Sequence, residues 1–154
     1  HSMGNYVLQK GLENKLIGYS NGSILPRMFK HIFLCAPDVT DNVFEPNQGM
    51  ARLHEMAQNV TVYFNKGDLA MNISKFTKNV ADRLWQVGNS RPALIHNKVH
   101  QVDCSPIVKG LVEHSYYLWA TVNQDIRQSV LDVSFDDTSR NRRQIGQSKE
   151  WVIT

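Results

Sequence analysis

His31-Ile32-Phe33-Leu34-Cys35-Ala36-Pro37-Asp38 is the stretch that decides the fold. An apolar run from His31 to Ala36, stopped by a proline and an aspartate, reads as a strand whose two faces are both covered. A second run, Val60-Thr61-Val62-Tyr63-Phe64, is dense in β-branched and aromatic residues and breaks at Asn65-Lys66-Gly67-Asp68, a turn by composition. A third and shorter one, Val99-His100-Gln101-Val102, ends at Asp103 and Ser105-Pro106.

Helical spacing fills the intervals between these runs. Val7, Leu8, Leu12 and Leu16 recur on one side of residues 4–17, with Gln9, Lys10, Glu13 and Lys15 on the other, and Gly18 is a natural stop. Asn21-Gly22-Ser23 reads as a turn, and Pro26 predicts a short helical turn through Phe29. Residues 39–47 read as a loop, followed by an amphipathic helix over 48–58 with Met50, Leu53, Met56 and Ala57 on one face. Ile73, Phe76, Val80, Leu84 and Val87 mark a long helix closed by Gly88. A last helix enters near His114, with Tyr117, Leu118, Thr121, Val122 and Ile126 in phase. Helices alternating with strands argue an α/β fold, a mostly parallel sheet flanked by helices. Residues 1–131 form this α/β portion, and 132–154 read as a polar, basic tail or peripheral loop. Three strands make a thin sheet with an open edge beside the first helix, which points to further strands upstream.

A chain of 154 residues has the length of one domain with a single core. No apolar run approaches the roughly 20 residues of a membrane helix. Cys35 and Cys104 are the only cysteines, both in apolar surroundings, so a disulfide-rich scaffold is excluded and buried reduced thiols are expected. A net charge of +3, with no basic run beyond Arg140–Arg143, gives no case for nucleic acid, and that cluster reads as a solvated tail. Histidine and cysteine spacings of the metal-binding kind are missing, as is a glycine-rich phosphate loop after any strand. Neither a metal nor any other cofactor is expected.

In sheets of this kind ligands bind beyond the carboxyl ends of the strands. Those ends supply Asp38, Asp68 and Asp103, with His114 in the next loop and Ser2 at the start of the first helix. Serine, acid and histidine in that chain order is the arrangement of the α/β-hydrolase fold. The opening His1-Ser2-Met3-Gly4 has two readings: residues that merely precede a starting Met3, or the x-S-x-G part of a nucleophile elbow interrupted on its left. Asp68 and His114 downstream favour the elbow. There the serine sits on a sharp strand-to-helix turn, and the glycine two residues on avoids a neighbouring strand. The helix beginning just after Ser2 would aim its free N–H groups at an oxyanion, with the Met3 N–H as one donor.

His1-Ser2-Met3-Gly4-Asn5, Cys35-Ala36-Pro37-Asp38, Val62–Ala70 and His114-Ser115-Tyr116-Tyr117 together resemble the bacterial esterase/lipase-superfamily hydrolases of unknown function, a branch of the α/β hydrolases. The resemblance covers about residues 1–125 and implies an eight-stranded, mostly parallel sheet with these strands as the sixth to eighth. It implies a carboxyl-terminal half, from the elbow onward, without the loop that supplies the second oxyanion donor. The chemistry implied is hydrolysis of an ester or related acyl bond in a small-molecule substrate.

By resemblance and position, Ser2 is the nucleophile, His114 the general base and then acid, and Asp68 the carboxylate that orients His114. Asp38 is the alternative acid, with a loop cap as its competing role. Asp103 reads as a supporting carboxylate, and Tyr116, Tyr117 and Trp119 as core aromatics, one ring of which lines an acyl pocket. His31, His54, His96 and His100 read as solvated or core histidines. The alternative function is a non-catalytic α/β fragment that forms a homo-oligomer through its exposed sheet edge. Cytoplasm is the default expectation for its compartment.

Overall fold

The computed structural model describes residues 1–17, 22–68, 91–110, 113–147 and 150–154, with side chains at 16 and 17 left aside. Helix α1 (Met3–Ile17) is followed by strand β1 (Phe29–Cys35), a short helix α2 (Leu53–Met56) and strand β2 (Ala57–Phe64). Then come β3 (Val99–Asp103), helix α3 (Ala120–Val130), β4 (Arg142–Gln144) and β5 (Glu150–Ile153). The strands form one sheet in the order β1-β2-β3-β5-β4, parallel throughout except for β4, which runs antiparallel to β5.

Side chains alternate between the faces of a strand, and the sheet divides its core accordingly. On one face Leu34, Val60, Val62 and Val99 pack with Leu12 of α1 and with Val39, Val43, Phe44, Met50 and Leu53. On the other, Cys35, Tyr63, Val102, Trp151 and Ile153 pack with Tyr116 and with Val122 of α3. Burial on both faces is why β1 and β2 read as continuous apolar runs.

Several expectations change. The segment before β1 is extended rather than helical from Pro26, because the Leu25 N–H donates to Glu55 Oε2 at 2.7 Å and the Met28 N–H to the Met56 carbonyl at 2.9 Å. The helix expected over 48–58 shrinks to Leu53–Met56, preceded by turns, although Met50, Leu53 and Ala57 are buried as their spacing implied. Val7 is 66% exposed, so α1 packs through Leu8 and Leu12 instead. A 3-10 turn at Tyr116–Leu118 precedes the last helix, which begins only at Ala120. The helix expected over 73–87 lies outside the described residues.

The largest departure is at the carboxyl end. The stretch read as a polar tail supplies β4 and β5, with Trp151, Val152 and Ile153 buried against β3. Nor is the Arg140–Arg143 cluster a solvated one, since Arg140 and Arg142 are buried. Arg140 donates to Asp125 Oδ1 from Nε at 3.0 Å and from Nη2 at 2.8 Å, and Arg142 Nη1 lies 3.4 Å from Oδ2. The Tyr63 hydroxyl donates to the same Oδ2 at 2.7 Å, so one carboxylate on α3 ties the last segment to the interior strand β2. Burial holds the Arg142 guanidinium down at about 10, and burial beside Asp125 pushes the Tyr63 phenol well above its ordinary value.

Candidate active site

Parallel pairing brings the carboxyl ends of β1, β2 and β3 to one edge of the sheet. Cys35 is in register with Tyr63, and Phe64 with Asp103, so the segments that follow emerge side by side. Ser2 joins this edge through its backbone, its N–H donating to the Cys35 carbonyl at 3.1 Å.

Ser2 occupies the left-handed region at φ 49°, a conformation that costs a non-glycine residue about 1–3 kcal/mol. Ala36, directly after β1, shares it at φ 43°. Helix α1 starts at Met3, and a first-turn amide of this kind has no carbonyl to bond within its own helix. A Cβ added to Gly4 would meet nothing within 4 Å, so the close strand approach expected of that glycine is not seen among the described residues.

Asp68 follows the Asn65-Lys66-Gly67 turn, in which Asn65 Oδ1 accepts the Gly67 N–H at 3.0 Å and the Asn65 carbonyl accepts the Asp68 N–H at 3.2 Å. This local bonding turns the Asp68 carboxylate inward, and its side chain is fully buried. His114 Nδ1 donates to Asp68 Oδ2 at 2.7 Å, across 46 residues of sequence. That bond fixes the neutral imidazole with its proton on Nδ1 and its lone pair on Nε2. His114 Nε2 is itself buried and has no hydrogen-bond partner among the described residues.

The His114 loop is held from two directions. Two residues on, the Tyr116 hydroxyl donates to the Tyr63 carbonyl at 2.9 Å, and burial raises the Tyr116 phenol well above its ordinary value. From the other side, the ring of His1 lies 4.7 Å from that of His114 and 4.6 Å from that of Tyr117, and His1 Nε2 donates to the His114 carbonyl at 3.2 Å. The residue preceding Ser2 therefore touches the histidine that Asp68 orients.

Asp38 is buried at the end of β1, where its N–H donates to the Ser2 carbonyl at 3.3 Å; the carboxylate bonded to His114 is that of Asp68. Asp103 accepts the Ser105 N–H at 2.9 Å and pairs with Lys66 Nζ at 2.8 Å, bracing the ends of β2 and β3. Cys35 lies beneath the edge, and burial raises its thiol to about 11. Three or more metal-ligating side chains do not cluster anywhere among the described residues. No described helix is long and apolar enough to cross a membrane.

Two participants escaped the sequence reading. His1 was part of the opening motif without a contact of its own, and only the fold brings its ring onto His114. Asn5 is 2% exposed and bonds the Ser2 carbonyl. Its signal was an amide side chain three residues after the serine, inside the first helical turn.

A mostly parallel sheet with the serine turn, a buried aspartate and a histidine gathered at its carboxyl edge is the architecture of the α/β hydrolases. Residues 1–131 match the family model described as "Alpha/beta hydrolase of unknown function (DUF900)", and the chain belongs to that family. No curated protein and no solved structure matches the chain.

Proposed function

We propose that this chain carries the catalytic residues of a serine hydrolase acting on an ester or related acyl bond. Ser2 attacks the acyl carbon through Oγ, and His114 Nε2 takes the hydroxyl proton. Asp68 holds the imidazole in the required tautomer and stabilises the imidazolium that forms. The Met3 N–H stabilises the oxyanion of the tetrahedral intermediate. His114 then returns its proton to the leaving group, and water attacks the acyl-serine by the same route. The observation that carries this reading is the 2.7 Å bond from His114 Nδ1 to buried Asp68, with a buried Nε2 that has no hydrogen-bond partner among the described residues. The strained Ser2 turn supports it, since backbone strain of this kind gathers at catalytic positions.

Intact-mass detection of fluorophosphonate labelling tests the assignment. One adduct on the wild-type chain is expected, with none on Ser2→Ala. Labelling of His114→Ala and Asp68→Asn is expected to be slower by about 10³–10⁴-fold, as when a catalytic base or its orienting carboxylate is lost. An adduct persisting in Ser2→Ala, or normal rates in the other two, would sink the reading.

A second reading rests on β1, which pairs with a strand on one side only among the described residues and leaves Phe29 47% exposed. Such an edge is suited to pairing with a second chain. Light scattering distinguishes this reading, because a monodisperse monomer at high concentration counts against it.

A further inference from the structure

We propose that Asn5 is the positioning residue of the Ser2 turn, an inference that rests on Ser2 being the nucleophile. A residue at φ 49° stays there only when its surroundings over-determine it. The backbone supplies part of that constraint. The Ser2 N–H donates to the Cys35 carbonyl at 3.1 Å, and the Ser2 carbonyl accepts the Asn5 N–H at 3.0 Å and the Asp38 N–H at 3.3 Å. The Asn5 side chain supplies the rest, Nδ2 donating to the Ser2 carbonyl at 3.0 Å and to the Cys35 carbonyl at 3.3 Å. A single amide thus bridges the serine and the last residue of β1, clamping the first turn of α1 onto the sheet edge.

Asparagine is a poor choice for this position on helix propensity alone, because its side chain competes for backbone bonds. Here that tendency is used, and the amide is buried at 2% exposure. Both of its bonds require a hydrogen-bond donor, so aspartate, an acceptor when ionised, has the right shape and the wrong chemistry. Alanine provides no donor. Serine, three residues after the carbonyl it would reach, can restore the bond to Ser2 but not the bridge to Cys35. What the clamp sets is the direction in which Ser2 presents its hydroxyl, and a misplacement near 1 Å at a reacting atom costs about 10²-fold in rate.

The test compares Asn5→Ala, Asn5→Asp and Asn5→Ser with Leu12→Ala, which removes a buried side chain from the same helix without touching the turn. Two readouts are taken: the one-bond Cα–Hα coupling of Ser2, which distinguishes positive from negative φ, and the fluorophosphonate labelling rate. Asn5→Ala and Asn5→Asp are expected to move Ser2 out of the positive-φ region and to slow labelling by about tenfold or more. Asn5→Ser is expected to fall between them and wild type. Leu12→Ala is expected to lower thermal stability while leaving the Ser2 coupling and labelling intact. Retention of positive φ in both Asn5→Ala and Asn5→Asp would overturn the proposal, as would an equal loss in Leu12→Ala. Should Asn5→Ala shift the coupling while the wild-type chain takes no label, the clamp stands and the hydrolase reading falls.

Discussion

Replacing Asp125 by asparagine removes one oxygen and one charge from a site where both are costly to lose. The side chains of Asp125, Arg140 and Arg142 are fully shielded from solvent, so screening does not soften the change. The amide carbonyl can keep the two bonds from Arg140 at 3.0 and 2.8 Å. Its NH2 then replaces Oδ2, meeting the Tyr63 hydroxyl at 2.7 Å and the Arg142 guanidinium at 3.4 Å, donors that formerly met an anion. The tyrosine can reverse its bond, but the arginine cannot, and two buried guanidinium groups lose their counter-charge. Breaking a buried pair costs about 3–5 kcal/mol, and the retained Arg140 bonds place this case near 3 kcal/mol. With a urea slope of about 2 kcal/mol per molar, the unfolding midpoint should fall by roughly 1.5 M. Arg143→Gln, at the exposed residue next door, should stay within about 0.5 kcal/mol of wild type. A midpoint for Asp125→Asn within about 0.5 M of wild type would refute the argument, since the cluster would then not depend on the Asp125 carboxylate.

Alkaline pH should unfold the chain early. The Cys35 thiol is raised by burial from 9.0 to about 11, so across that interval the folded chain keeps a proton that the unfolded chain releases. Its contribution is fully present below pH 9 and lost as pH rises through 11, at a cost of roughly 2–3 kcal/mol. Cys104, Tyr63 and Tyr116 are raised in the same direction by burial and add to the effect. Urea midpoints between pH 8 and 11 should therefore decline, less steeply in Cys35→Ala, and a flat profile would contradict the burial of these groups. Tyr116→Phe should cost only about 1 kcal/mol. The Tyr63 carbonyl that it abandons still accepts the Ala36 N–H at 3.1 Å, so no orphan is left, and a loss above about 3 kcal/mol would disprove this.

The sequence made β1 and β2 legible because their packing partners lie on both faces, and two-sided burial prints itself as an apolar run, whereas β3 showed only through Val99 and Val102. The candidate aspartate followed from where the second run stops, the histidine from the loop after the third strand, and the serine from the start of the first helix. What stayed hidden has a common cause, that pairing partners far apart in sequence cancel one another's polarity. Arg140 and Arg142 advertise a solvated tail until Asp125, on a helix whose own pattern looks merely amphipathic, is brought against them. Glu150-Trp151-Val152-Ile153 is too short, and too close to charged neighbours, to stand out as a strand until β3 offers it an edge. Helix lengths failed for a different reason. Met50, Leu53 and Ala57 fulfil their spacing by pointing into the core, but a chain of tight turns can satisfy that requirement as well as an α-helix does.

These hidden contacts bear directly on the candidate site. Tyr63 is bonded through its hydroxyl to Asp125 and through its carbonyl to the Tyr116 hydroxyl and the Ala36 N–H. One residue of β2 thus receives the charge cluster from one side, the loop that carries His114 from another, and the strained end of β1 from a third. Asp68 lies five residues further along the same strand and turn. The placement of His114 against Asp68 is therefore set by the packing behind it as well as by the 2.7 Å bond between them. Loosening Asp125 should reach the site by this route. Asp125→Asn, assayed well below its own unfolding midpoint, should slow labelling of Ser2 more than an equally destabilising change on the opposite face of the sheet, such as Leu12→Ala. Equal rates in the two variants would mean that the cluster fastens the last two strands and does nothing for the histidine.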